Sequence, residues 1–196
     1  LPLNLDPPLL AADESDPLAF IAPVLADDTI PKTGQNIKYD AHVLTRAGVP
    51  VSGWAFDTMI AHCLADPLSA HGLDSLALKY LDLTKIPTSE IIGKGKQQTT
   101  MDLVPVEDVS RYACEDAHAT WLLRQPLAAA LKVAEVEDLF TDVEMPLITV
   151  LQRMEANGIC VDRERLREME KYLSRRQLEL EERIFEISGG PFNLNS

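Results

Sequence analysis

The sequence predicts an α/β domain followed by a helical segment of different texture, and three observations carry that reading. Two short strand candidates are each followed at once by a capped helix, the alternation that builds a parallel sheet with helices packed on it. A long helix pattern closes this part of the chain. From about Asp138 the strand patterns stop and amphipathic, highly charged helices take over.

The elements follow in order. Leu1-Pro2-Leu3 reads as the tail of a strand, and Asp6 to Asp16 as an acidic loop broken by proline. Pro17 opens a short helix over Leu18–Leu25, at a position where the missing N–H costs nothing. Thr29–Thr33 is a strand candidate that passes through Gly34 to Asn36, the expected N-cap of a helix running to about Ala47 and stopped by Gly48. Val51–Phe56 is the second strand candidate, and Asp57 caps a helix over Thr58–Leu64 that ends before Pro67. Asp74 is the expected cap of a helix over Ser75–Leu81. Gly93-Lys94-Gly95-Lys96 reads as a flexible loop. Pro105 starts a long helix to about Arg124, with a break or kink expected at Pro126 and a fresh helix from Leu127. Residues 139–156 form an amphipathic helix interrupted at Pro146 and ended by Asn157-Gly158. Ile159-Cys160-Val161 is short and extended. Asp162 then caps a helix to about Ile187 that is too evenly charged to be a core element, with seven bases against seven acids over 162–183.

Composition narrows the function classes. The 196 residues are 46% hydrophobic and 25% charged, which suits a globular protein with a real core. The balance of 18 bases against 31 acids gives a formal net charge of −13 and excludes nucleic-acid binding by a diffuse basic surface. A phosphate partner must meet a local basic patch or a carboxylate-bound metal. No apolar run reaches the length of a membrane span, and no signal-peptide pattern opens the chain. Cys63, Cys114 and Cys160 are scattered, without metal-ligand spacing, and read as reduced, packed thiols of a cytoplasmic protein.

Two constellations could carry chemistry. In Gly34-Gln35-Asn36-Ile37-Lys38-Tyr39-Asp40 a carboxylate falls in the first turn of a helix after a strand and a glycine, where α/β proteins place ligands. On its own, Asp40 serves equally well as a helix-dipole carboxylate and Asn36 as a cap. In Tyr112-Ala113-Cys114-Glu115-Asp116, Tyr112 and Asp116 share one helix face, and Glu115 points elsewhere. An Asp directed at a packed face needs a partner, and either a metal or a nearby base would serve. Lys94 and Lys96 suit phosphate binding or simple solvation, and the P-loop spacing is absent.

Taken together, about seventy-five residues apart, Asn-x-x-x-Asp and Tyr-x-x-x-Asp resemble the second and third acidic motifs of the DEDD-superfamily 3′–5′ exonucleases, tyrosine branch. Ala55-Phe56-Asp57-Thr58-Met59, Leu73-Asp74-Ser75-Leu76-Ala77 and Ile92-Gly93-Lys94-Gly95-Lys96 resemble the proofreading domain of the bacterial DNA polymerase I family, the family A polymerases. Glu144-Met145-Pro146-Leu147, Asn157-Gly158-Ile159 and Phe192-Asn193-Leu194-Asn195-Ser196 are similar to the opening of that family's polymerase domain. The resemblance implies a ribonuclease H-like exonuclease domain over residues 1–137 and the helical start of a polymerase domain over 138–196. It implies that Asp40 and Asp116 bind Mg²⁺ or Mn²⁺ in a two-ion site, and that Tyr112 orients the attacking water. It further implies that Gln35, Asn36 and Tyr39 lie beside a single-stranded DNA 3′ end, with Lys94 and Lys96 as further DNA contacts. The implied enzyme is a cytoplasmic monomer acting on DNA, including primer-template, with no membrane partner.

One departure bears on activity. The family's first motif, Asp-x-Glu on a strand, has no counterpart upstream of Asp40, where Asp13-Glu14 sits in a proline-rich loop. The exonuclease domain is therefore expected to be truncated at its N-terminus and inactive in this chain alone. Two alternatives stand beside this reading: an inactive exonuclease-like module that positions DNA, and a free-standing DEDD ribonuclease. The second should lack the polymerase-like words after residue 143.

Overall fold

The computed structural model describes residues 17–194, so the expected strand tail at Leu1-Pro2-Leu3 and the acidic loop around Asp13-Glu14 lie outside the described residues. The fold is mostly helical with a small parallel sheet. In order the elements are α1 (Pro17–Ala26), β1 (Lys32–Gly34), α2 (Ile37–Arg46), β2 (Trp54–Asp57), α3 (Thr58–Ala65), α4 (Leu73–Leu81), α5 (Thr88–Ile92) and α6 (Val106–Val133). After them come α7 (Glu137–Leu139), α8 (Met145–Asn157) and α9 (Arg163–Ser188). Contacts divide the chain into two compact units that part between Ala156 and Asn157.

In the first unit β1 and β2 pair in parallel, with Thr33 opposite Phe56 and Gly34 opposite Asp57. An irregularity between Lys32 and Thr33 leaves Ala55 without a counterpart. Gly53 leads into β2 at φ +71°, and a Cβ there would come within 2.7 Å of the Ile30 carbonyl oxygen. Only glycine fits that approach. Leu123, Leu127 and Leu131 form one face of α6 at four-residue spacing and are fully buried. They share a core with Ile37 of α2, Phe56 of β2, Ala61 of α3 and Leu76 of α4. Each large side chain contributes about 1.5–3 kcal/mol by leaving water. Phe140 extends this core, its ring centroid 5.0 Å from that of Phe56.

Several expectations are corrected by packing. The first strand is Lys32–Gly34 and not Thr29–Thr33, because Asp27 takes both the backbone N–H and the hydroxyl of Thr29 into a local turn. Pro126 neither breaks nor restarts the long helix: α6 runs through it, since buried Leu123 and Leu127 hold both sides on the core. Pro146 does not interrupt its helix either. The chain from Phe140 to Glu144 widens into a π-turn, with the Met145 N–H bonded to the Phe140 carbonyl, and α8 continues beyond it. A wider turn gives the proline ring room beside the preceding carbonyls. Asn36 precedes α2 as expected but makes no side-chain cap; its backbone is left-handed, at φ 59°. Asp74 lies inside the first turn of α4, behind Gly72. Lys94 and Lys96 flank and enter a single 3₁₀ turn, Gly95–Gln97. Cys63 is half-buried, but Cys114 and Cys160 are exposed, on α6 and in the segment before α9, so only the first resembles a packed thiol.

The second unit is simpler. Asp162 caps α9 as expected, its carboxylate accepting from the Arg165 N–H at 2.9 Å. Arg165–Glu168 and Arg176–Glu179 pair along its surface, and none of its residues is buried. Gly189, at φ +78°, ends the helix. Phe192 then turns back edge-on to Phe185, with centroids 5.8 Å apart.

Candidate active site

The first half of the site is built around Asp57. This buried carboxylate ends β2 and accepts from the backbone N–H groups of Met59 (2.8 Å) and Ile60 (3.1 Å), which caps α3. It also accepts from Ile37 (2.7 Å) and Asn36 (3.2 Å), which caps α2 from across the sheet. Burial pushes its pKa up, and the four N–H groups pull against that shift. The left-handed backbone of Asn36 aims its own N–H and that of Ile37 at this carboxylate, a conformation Asn tolerates better than most residues. Close approach also fixes Gly34, where a Cβ would stand 2.7 Å from the Ile37 side chain.

Gln35 is held at both ends of its amide. It donates to the His71 carbonyl at 2.9 Å and accepts from the Thr58 hydroxyl, which also reaches the Gly34 carbonyl at 3.1 Å. Tyr39 is 66% exposed. Asp40 stands exposed at a cavity rim, yet the protein packed beneath it, followed by the negative Asp57, raises its pKa above the ordinary carboxylate value.

The second half is the Tyr112–Asp116 face of α6, and here a residue that the sequence reading missed dominates. Lys85, with a side chain only 1% exposed, forms an ion pair with Asp116 and a longer one with Asp74 at 3.4 Å. Burial pulls the lysine pKa down, but Asp116 and then Asp74 outweigh it and leave the ammonium above its usual value. Lys85 also lies 5.3 Å from the centroid of the Tyr112 ring. Glu115 does not point away from this region. It accepts from the Ile86 N–H at 2.6 Å, while the Tyr112 hydroxyl meets Thr88 at 2.9 Å. Three attachments, at Lys85, Ile86 and Thr88, therefore clamp residues 85–88 onto α6. The signal for Lys85 was present in the need of Asp116 for a partner, with a base among the two solutions.

A cavity of about 470 Å³ joins the halves. Thr33, Gly34, Gln35, Asp40, Leu73, Asp116, Ala117, Thr120 and Trp121 line it. Asp40 and Asp116 thus meet across one space, together with Gln35, whereas Asn36, Tyr39, Tyr112, Lys94 and Lys96 are not among its lining. Lys94 and Lys96 are exposed. The donor set suits a hard divalent cation, with two carboxylates and no sulfur or imidazole in the lining. It falls short of a cage for two ions: among the described residues no three His, Cys, Asp or Glu side chains converge, and Lys85 already holds Asp116.

Comparison with known proteins identifies the family of the chain. The chain is 42% identical over 179 residues to DNA polymerase I of Chloroflexus aurantiacus, covering 90% of this chain and 19% of that protein. It is 38% identical over 188 residues to DNA polymerase I of Pseudomonas aeruginosa, covering 94% of this chain and 21% of that protein. The chain thus spans about a fifth of the length of these relatives. Its fold resembles the POL domain of Pol1 from M. smegmatis, solved in complex with DNA primer-template and dNTP, at a TM-score of 0.74 and 24% identity, over 91% of this chain and 28% of that one. Among the described residues no helix is long and apolar enough to cross a membrane. Residues 8–132 match the sequence profile of the 3′–5′ exonuclease of DNA polymerase A, and the chain belongs to that family.

Proposed function

We propose that this chain is part of a family A DNA polymerase and supplies most of its proofreading domain, which removes nucleotides from a single-stranded DNA 3′ end. The observation that carries the reading is the meeting of Asp40 and Asp116, from motifs about seventy-five residues apart, on one cavity. Residues 1–137 are assigned to the exonuclease domain and 138–196 to the helical opening of the polymerase domain. That boundary follows the change of sequence texture near Asp138, and it differs from the packing seam after Ala156. The whole enzyme acts as a cytoplasmic monomer on primer-template DNA.

Each residue then has a task. Asp40 and Asp116 would hold Mg²⁺ or Mn²⁺, which supplies charge stabilisation and an activated water for phosphodiester hydrolysis. Tyr112, with one hydroxyl, orients a water by a single hydrogen bond and exchanges its Thr88 partner to do so. Gln35 presents an amide fixed by Thr58 and His71 beside the DNA end. Asn36 and exposed Tyr39 offer a polar edge and a stacking face. Lys94 and Lys96 neutralise phosphates at the periphery.

The test is a chimera in which residues 17–196 replace the aligned stretch of the Chloroflexus polymerase. The chimera should release nucleotides from 3′-labelled single-stranded DNA in Mg²⁺, and Asp116→Ala should abolish release. Tyr112→Phe should slow single-turnover hydrolysis by roughly 10²–10⁴. Polymerisation should be unchanged in both variants. Hydrolysis that survives Asp116→Ala would sink the assignment. The 196-residue chain alone, which has no Asp-x-Glu before β1, should release nothing. A second reading, an inactive exonuclease-like module, draws support from the ammonium already seated on Asp116.

A further inference from the structure

Lys85 raises a question that the proofreading reading leaves open. A lysine with 1% side-chain exposure is costly unless paired, and this one has two carboxylates within reach. The nearer is Asp116, the residue assigned above to a divalent cation. The farther is Asp74, at 3.4 Å, whose side chain is 65% exposed in the first turn of α4. The backbone next to Lys85 is independently fastened to α6 through the Ile86 N–H, which donates to Glu115. The ammonium can therefore change partners on its flexible stem while its Cα stays in place.

We propose that Lys85 is a tethered counter-ion that occupies the cation position on Asp116 and shifts to Asp74 when a divalent ion enters. The proposal rests on Asp116 being a metal ligand. The physical argument is charge conservation at a half-buried carboxylate. Asp116 needs a positive partner at all times, and a lysine supplies it when no metal is bound. Asp74 then prevents the displaced ammonium from being stranded. Both Asp74 and Lys85 lie off the floor of the Asp40–Asp116 cavity, so the exchange leaves that space open.

The experiment is a Mn²⁺ titration of the 196-residue chain, read by electron paramagnetic resonance, in wild type, Lys85→Met, Lys85→Arg, Asp74→Asn and Asp116→Asn. Removing the tethered charge in Lys85→Met should tighten Mn²⁺ by at least about tenfold. Lys85→Arg should stay weak, Asp74→Asn should bind more weakly than wild type, and Asp116→Asn should lose the site. A second readout does not depend on Lys85→Met folding: the Lys85 Nζ resonance of wild type should move saturably with Mg²⁺. Folded Lys85→Met that binds Mn²⁺ no better than wild type overturns the proposal, as does an Nζ resonance that stays still through Mg²⁺ saturation. If Asp116-dependent binding persists with no effect of Lys85, only the counter-ion idea falls. If Asp116→Asn binds as wild type does, the metal-ligand assignment itself fails.

Discussion

The carboxylate of Asp57 accepts N–H groups from the starts of two helices, so a single side chain satisfies donors that two separate caps would otherwise serve. Asp57→Ala should destabilise the chain by about 2–4 kcal/mol, combining two lost caps with buried N–H groups left unpaired. Asp57→Asn, which keeps an acceptor oxygen, should cost roughly half as much. Urea unfolding followed by circular dichroism measures both; equal stability of Asp57→Ala and wild type would contradict the double-cap geometry. Half of this arrangement was legible. Asp57 before Thr58 reads as a cap of the following helix, but its bonds to Asn36 and Ile37 span about twenty residues and leave no local pattern. Lys85 was hidden for a similar reason: a lone lysine between Thr84 and Ile86 reads as solvated until α6 is laid against it.

At the scale of elements, the helices of eight or more residues were located from the sequence, although Asn36 and Asp74 do not cap theirs; α5 was missed and proline was overweighted. In α6 the absent N–H of Pro126 removes one rung, which the burial of Leu123, Leu127 and Leu131 outweighs. Pro126→Ala restores the rung without touching those leucines. It should raise the unfolding free energy by about 1–3 kcal/mol, read from the midpoint of urea denaturation. A loss of stability would mean that the half-buried pyrrolidine ring contributes packing that outweighs the missing bond. The short strands were only partly legible, because a three-residue strand offers too few positions for alternation to register its ends.

For the first compact unit as a whole, the pH response is set by which groups folding changes. His62 is buried between α3 and α4, with Nδ1 2.7 Å from that of His71, its ring 5.7 Å edge-on from Tyr80, and Lys79 Nζ 3.4 Å away. Burial, then Lys79 and His71, hold its pKa below the ordinary 6.5, against a smaller opposing pull from Asp66. The unfolded chain therefore takes up a proton first, so stability falls as pH drops from about 6.5 toward the folded pKa. Asp66, kept down to about 2 by Lys79 and Ser69, loses its contribution only below the ordinary 3.8. Asp40 and Asp57 have raised pKa values and act with the opposite sign, regaining stability as acid protonates them. A thermal melt series should show Tm falling below pH 6.5, with a shallower fall in His62→Gln. An unchanged slope in that variant would remove His62 from the account. The cavity that unites Asp40 with Asp116 was legible only through the order of the two motifs, because local sequence does not encode the distance between α2 and α6.

The π-turn at Phe140–Glu144 has a consequence for the tolerance of the chain to changes in length. Losing one residue inside an ordinary α-helix rotates everything beyond it by about 100°, enough to swing a buried face into water. A π-turn holds one residue more than the α-helical path between the same ends, so its slack can absorb such a loss. Met145 and Ile148 can keep facing the core through a one-residue deletion there, provided Pro146 changes as well, because its ring would then meet an α-helical carbonyl. Descendants of this sequence can therefore shorten by one residue at this point when the proline is lost with it.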